Sequence, residues 1–281
     1  MTKQPRRSIL CPNCRKLISV DEARCPHCGT ASPGSWWKNN IWTQSLRSPD
    51  QLIKTIIYVN VGMYILSLLL DPLSSRLSMN PFSFLSPANR SLVLLGATGT
   101  FPIDQFHRWW TLVSANYIHG SVLHILFNML AFSQLAPLVL QEYGPYRMLS
   151  IYTLGGILGF AVSYLAGVSL TIGASAAVCS LIGAALYYGK SRGGLYGQAV
   201  YKQVGAWALG IFVFGFLVPG INNWGHGGGM LGGIVLGALF GYHERRREGV
   251  FDKILAGGCA ALTIAVLGWA VLSSVVIRFL S

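Results

Sequence analysis

Residues 171–189 read TIGASAAVCSLIGAALYYG, and the reading of the whole chain turns on them. The stretch is apolar, carries no charge before Lys190 and is punctuated by small residues. From Gly173 it offers seventeen residues before that lysine, which is short for a helix crossing a hydrocarbon core ~30 Å thick at ~1.5 Å per residue. Val168 to Ile172 are also apolar, so the chain is expected to dip into a membrane before the helix begins. Ser175 then sits at a helix N-terminus below the membrane surface, its hydroxyl beside unfilled backbone N–H groups and the positive end of the helix dipole. A nucleophile beside anion-stabilising donors is what acyl transfer needs. The competing reading makes Ser175 an N-cap or a small residue at a helix contact. The rest of the chain weighs one against the other.

Of the 281 residues, 52% are hydrophobic and 11% charged, the balance of a polytopic membrane protein. The first forty residues are polar, basic and cysteine-bearing, which is not the pattern of a removable signal peptide. All nine acidic residues fall outside or at the edges of the apolar spans. That argues against an intramembrane aspartyl protease and against proton transport through buried carboxylates. The net charge of +12 could suggest nucleic acid, but in a membrane protein its placement reports topology, so nucleic acid is not the expected partner.

Residues 11–28 read CPNCRKLISVDEARCPHC: Cys11 and Cys14, a ten-residue gap, then Cys25 and Cys28. Two CxxC knuckles at this separation offer four thiolates to a structural Zn2+. So small a fragment has little core, and metal binding would supply most of its folding energy. Disulfides or a redox pair are the alternatives, both weaker for a basic segment facing a reducing cytosol. The pattern resembles a zinc ribbon over residues 8–31, a module that docks to protein or nucleic acid; His27 is a spare ligand and the expected bystander. Residues 32–50 read as a linker lying at the membrane surface through Trp36, Trp37 and Trp42, with Lys38 and Arg47. Ser48 and Pro49 are the expected cap and first position of a helix.

The remainder, 51–281, divides into seven spans: about Leu52–Leu70, Val122–Leu140, Met148–Ala166, the serine helix, Val204–Val218, Trp224–Tyr242 and Ile254–Val276. A long aromatic loop, 71–119, follows the first span, and a basic loop carrying Lys190, Arg192 and Lys202 precedes the fifth. With the N-terminus inside, seventeen Lys and Arg fall inside, leaving Arg76, Arg90, Arg108 and Arg278 outside. That bias puts the N-terminus and the ribbon in the cytoplasm and the C-terminus outside. It also gathers the outer ends of the second, fourth and sixth spans on the far side. There the second span, with Ser121 as its N-cap, carries His124 and Asn128 on one face, and His119 precedes it. Two polar residues gluing helices together is the bland account of that pair. In the sixth span Gly225, Gly229, Gly233 and Gly237 form a smooth face for close helix contact, which leaves His226 beside them unexplained.

A serine on one helix and a histidine on another make a nucleophile and a base, while His124, Asn128 and the Ser175 N–H could donate to an oxyanion. No acid is at hand, so the set is a dyad. These pieces, H119-GSVL-H124-ILF-N128, G173-A-S175-A and H226-GG-G229-MLG-G233, resemble the rhomboid family of intramembrane serine proteases over roughly residues 50–280. The resemblance implies an all-α polytopic membrane protein: a six-helix bundle plus a seventh C-terminal transmembrane helix, with the cytoplasmic zinc ribbon appended. It implies Ser175 as nucleophile and His226 as general base and acid. His124 and Asn128 would assist the oxyanion, and His119 would hold the end of the second span. It implies no cofactor for catalysis and single-span membrane proteins as substrates, cut near the outer face of a membrane, expected to be a bacterial cytoplasmic one. The partners are then those substrates, the lipid bilayer and a protein docking to the ribbon. Three positions depart from the family pattern: Ala176 where GxSG ends in glycine, Cys179 where an aromatic packs on the histidine, and Trp110-Thr111 where Trp-Arg is usual. The alternatives are a catalytically weak or inactive relative that binds membrane clients, and a metal or haem site on His119, His124 and His226. Retention of both serine and histidine argues against the first, and the lack of an acidic partner motif against the second.

Overall fold

A computed structural model describes residues 8–11, 16–35, 49–74, 76–77, 83–218 and 220–279 of the chain. It forms two compact units, residues 1–55 and 56–281.

In the first unit, β1 (Ser8–Leu10) and β2 (Leu17–Ser19) pair antiparallel with Ile9 opposite Ile18. Two of the cysteines make backbone hydrogen bonds. The Cys11 N–H donates to the Lys16 carbonyl at 2.9 Å, and the Cys25 N–H to the Thr30 carbonyl at 2.9 Å. The chain between Cys25 and Thr30 turns at Gly29, where φ is +74°, a conformation open to glycine without a side-chain penalty. Cys11, Ile18 and Cys25 form a buried cluster, with Ile9 packed against them. Cys14, Trp36, Trp37, Lys38, Trp42, Arg47 and Ser48 lie outside the described residues.

Long apolar runs become helices because a bilayer leaves a backbone no other way to satisfy its own hydrogen bonds. The first is α1 (Pro49–Leu69), which belongs to the second unit from Ile56 onward. The described residues of 71–119 form regular elements. They hold a short antiparallel hairpin of β3 (Arg76–Leu77) and β4 (Phe84–Ser86) and three short helices. These are α2 (Asn89–Leu95), α3 (Thr100–Phe106) and α4 (Thr111–Ser114). Next comes α5 (Val122–Tyr143), capped as expected by Ser121, whose hydroxyl accepts the His124 N–H at 3.2 Å. The remaining helices are α6 (Pro145–Leu165), α7 (Ser175–Arg192), α8 (Gly194–Leu217), α9 (Asn223–Phe240) and α10 (Val250–Phe279).

Among these, α1, α5, α6, α8 and α10 are long and apolar enough to cross a membrane. The two shorter ones, α7 and α9, pack most extensively on each other. Helix α7 is buried along most of its length, whereas α9 buries its glycine face and leaves Trp224, Leu231, Val235 and Leu239 exposed, so small residues serve the contact between them. The glycine face is used as the sequence suggests. A side chain at Gly229 would strike the Ala176 carbonyl, one at Gly233 the Ser180 carbonyl, and one at Gly237 would come 3.2 Å from the Ala184 Cα. Helix α10 packs against α6, α2 and α4 and completes the bundle as its seventh long helix.

The basic loop before the fifth span is corrected. Lys190 and Arg192 end α7, Lys202 lies inside α8, and the turn is Gly193–Gly194, with φ of +66° and +65°. Polar residues in the first turns of α8 hid its start. The cations that end α7 lie against rings of α8, Lys190 5.7 Å from the Tyr201 centroid and Arg192 5.0 Å from that of Tyr196, and Arg192 also pairs with Glu244 at 3.0 Å.

At the same end of the bundle Arg147, 1% exposed, uses all five of its N–H donors. They reach both carboxylate oxygens of Asp252 (3.1 and 3.2 Å) and the carbonyls of Gly241, Arg246 and Arg247 (2.9, 2.7 and 2.9 Å). Glu248 accepts the Tyr146 and Arg147 N–H groups at 2.8 and 2.9 Å, filling the open N-terminus of α6.

Candidate active site

Ser175 is the first residue of α7. The cap position belongs to Ala174, and no side chain caps the helix. The N-cap reading of Ser175 is therefore withdrawn. Its hydroxyl is left for other work, beside donors that no side chain fills. The approach to it is built from strained backbone: Gly173 has φ +120°, and a Cβ there would lie 2.6 Å from His124 Nε2. Only glycine allows that turn and lets the ring lie against it.

The tautomer of His124 follows from its contacts. Nδ1 accepts the Gly120 N–H at 3.3 Å, so in the neutral ring Nε2 carries the hydrogen, against the Gly173 backbone two residues from Ser175. Asn128 spends one amide hydrogen on the His124 carbonyl at 2.8 Å and keeps the other. His119 is fully buried, with its ring centroid 5.1 Å from that of His124. Its Nε2 accepts the Ala174 N–H at 3.5 Å, so its hydrogen bond goes to the serine segment rather than to the end of α5. Burial, and then the nearby His124, hold His119 well below the ordinary histidine value, in keeping with a neutral ring that accepts.

His226 lies in the first turn of α9, 7% exposed. Its Nδ1 has no hydrogen-bond partner among the described residues, so no carboxylate orients it. His226 stands one turn before Gly229, and Gly229 abuts the carbonyl of Ala176, the residue after the serine. Gly159 of α6 sits at the same level: a Cβ there would meet the Gly225 oxygen at 2.7 Å and the Ala176 Cβ at 2.9 Å. Three helices thus meet backbone to backbone where the serine and histidine helices begin.

The departures have local explanations. Thr111 is fully buried, its hydroxyl 2.6 Å from the Arg108 carbonyl and 3.0 Å from the Thr98 hydroxyl, a place too small for an arginine. Arg108 instead reaches the Val93 carbonyl at 3.2 Å. Ala176 turns its methyl toward Gly159, and Cys179 is enclosed at 1% exposure.

Residues 107–243 match the family model of the rhomboid domain. The chain carries a rhomboid domain. It is similar to rhomboid protease GluP of Bacillus subtilis, at 31% identity over 64% of this chain and 35% of that protein. It also resembles RHOMBOID-like protein 5 of Arabidopsis thaliana, at 33% over 60% of this chain and 57% of that one. Rhomboid-like protease 3 of Toxoplasma gondii is 27% identical over 82% of this chain and 84% of its own length. The chain spans about a third of GluP and just over half of the plant protein. The rhomboid domain contains Ser175, His226, His119, His124 and Asn128, and the cysteine hairpin falls outside it. Sequence reasoning passed over Gly159 and Asn222. Asn222 could have been found, since an asparagine before a helical run is a cap signal, and its side chain accepts the Gly225 N–H at 3.0 Å.

In the first unit, the sulfurs of Cys11, Cys25 and Cys28 all lie within 4.8 Å of one another, with those of Cys11 and Cys28 3.6 Å apart. Thiolates around a tetrahedral zinc at ~2.3 Å stand about 3.8 Å apart, so the cluster fits a metal.

Proposed function

We propose that this rhomboid is an intramembrane serine endopeptidase working through a Ser175–His226 dyad. The observation that carries the reading is the seam of α7 and α9. Backbone contact at Ala176 and Gly229 brings the first turns of two helices together, one bearing an uncapped serine, the other a buried imidazole with an unpartnered nitrogen. Two relatives that bear the name protease support it.

In this mechanism His226 takes the proton as Ser175 Oγ attacks the scissile carbonyl, then gives it to the leaving amine as the C–N bond breaks. Water hydrolyses the acyl-enzyme by the same route. The Ser175 N–H, His124 Nε2–H and the second Asn128 amide hydrogen stabilise the oxyanion. His119 holds the serine segment from Ala174. Substrates are single-span membrane proteins, cut where a helix unwinds, because a helical peptide bond is already hydrogen-bonded and buried. The basic residues put the N-terminus in the cytoplasm and the C-terminus outside, with cleavage near the outer face of a bacterial cytoplasmic membrane.

Cys11, Cys14, Cys25 and Cys28 would hold one structural zinc in a ribbon that docks a protein partner and takes no part in the chemistry. Metal analysis of the full chain should find one zinc, absent when the four cysteines are serines.

The test of the activity is a fluorogenic single-span peptide in proteoliposomes. Ser175→Ala and His226→Ala should each abolish cleavage in folded protein, and a fluorophosphonate should label the native chain but not Ser175→Ala. Full cleavage by Ser175→Ala would overturn the reading. Binding of the peptide without cleavage by the native chain would favour a client-binding relative.

A further inference from the structure

We infer that Asn222 is a positioning residue that registers the histidine helix against the serine segment, and the inference rests on the dyad proposed above. The amide spends every hydrogen-bonding group it has. Its oxygen caps α9 at Gly225, while its two N–H bonds leave the helix for the Ser163 hydroxyl at 2.6 Å and the Thr171 hydroxyl at 3.0 Å. Its backbone carbonyl accepts the His226 N–H at 3.2 Å. One residue therefore holds the turn that carries His226, the end of α6, and a point four residues before Ser175.

The far ends of these bonds are fixed. Ser163 is fully buried. Thr171 is bridged to Thr98 by two backbone bonds, its N–H to the Thr98 carbonyl at 2.7 Å and the Thr98 N–H to its own carbonyl at 3.0 Å. Thr98 is braced in turn by the Thr111 hydroxyl at 3.0 Å. Helix α9 would be well capped by any short polar side chain. Capping alone does not need the two outward bonds. They do what the missing acid of a triad would otherwise do, setting where the imidazole stands, but through the backbone of its helix rather than through its ring.

The bonds can be separated. Asn222→Ser keeps a cap but is too short to reach both hydroxyls, and Thr171→Val removes one acceptor at constant shape. Each should lower kcat for the fluorogenic single-span peptide roughly ten- to a hundredfold, with KM within twofold. The double variant should be no worse than the poorer single, because the bond between Asn222 and Thr171 is the one that both remove. Exhaustive fluorophosphonate labelling separates misplacement from misfolding. Displaced dyads label to the native stoichiometry at a reduced rate, whereas a merely structural role lowers the labelled fraction and leaves kcat per labelled site native. That second pattern, or native kcat in Thr171→Val, overturns the inference. If Asn222→Ser does not fold, Thr171→Val and Ser163→Ala decide. Ser175→Ala is run alongside: cleavage by that variant removes the dyad, and the positioning role falls with it, whereas an inert Ser175→Ala beside fully active tether variants removes the positioning role alone.

Discussion

A single methyl group at Gly159 should uncouple stability from turnover. The Cβ of Gly159→Ala would stand 2.7 Å from the Gly225 oxygen, 2.9 Å from the Ala176 Cβ and 3.0 Å from the Gly229 nitrogen. Ordinary contact begins near 3.4 Å, so α9 and α7 must each back away from α6 by roughly half an ångström or a little more. None of the three atoms is the end of a flexible side chain, and the displacement goes into backbone. Overpacking of this kind costs ~1–3 kcal/mol, against which alanine returns ~1 kcal/mol of helix propensity. The net loss of stability is therefore modest. The effect on chemistry is larger, because Gly225 precedes His226 and Ala176 follows Ser175, so the methyl spreads the two helices at the level of the proposed dyad. A misplacement of 1 Å can cost about a hundredfold, and half of that should cost about tenfold in kcat. The control is Gly268→Ala in α10, where a Cβ meets nothing within 4 Å, and which should match or exceed native stability at native turnover. Melting temperature in detergent and peptide cleavage in proteoliposomes measure both. Native kcat in Gly159→Ala would show that the three-helix seam does not set the dyad's geometry.

Asp252→Asn leaves the Arg147 guanidinium buried without its countercharge and should cost ~3–5 kcal/mol, read as a fall in melting temperature; a loss under 1 kcal/mol would refute the account of that knot. Glu248 titrates above the ordinary glutamate value because burial outweighs the two N–H groups that it accepts. A raised carboxylate contributes stability that is complete below the unfolded value of about 4.5 and is lost as pH climbs through the folded one. The melting temperature of the native chain should accordingly fall relative to Glu248→Gln as pH rises through that window, and a flat or inverted difference would refute it. Cys179→Phe places a ring in a fully enclosed site and should destabilise by ~1–3 kcal/mol with reduced turnover. Unchanged stability with equal or higher turnover would mean that a ring fits beside the histidine helix.

The long helices were legible because apolar runs leave a bilayer-spanning backbone few choices, and the four-residue glycine spacing of α9 was legible because it has no other use. What the sequence hid is what depends on contacts between distant residues. Tyr196, Tyr201 and Lys202 look like loop but begin α8, because rings from that helix cover the cations that end α7. Residues 71–119 look like one aromatic loop, yet Tyr64 reaches across to the Leu85 carbonyl at 2.6 Å and a hairpin forms there. Around the proposed site, Ser175, His124 and His226 are singled out by chemistry, since an ionisable ring in an apolar span calls for a reason. Gly159 carries no chemistry and stands out only once three helices are seen to meet on it.

Arg147 has a history as well as a position. Its partners lie 94 to 105 residues further along the chain. When α6 enters the membrane none of them has been made, and the guanidinium is a solvated cation, able to act as one of the charges that hold a nascent helix end on its own side. Synthesis of α10 changes its occupation. Asp252 and the carbonyls of the preceding turn arrive, the cation is neutralised and withdrawn from water, and an orientation marker becomes a fastener. The two uses cannot overlap in time, so closure of that end of the bundle waits until α10 has been made.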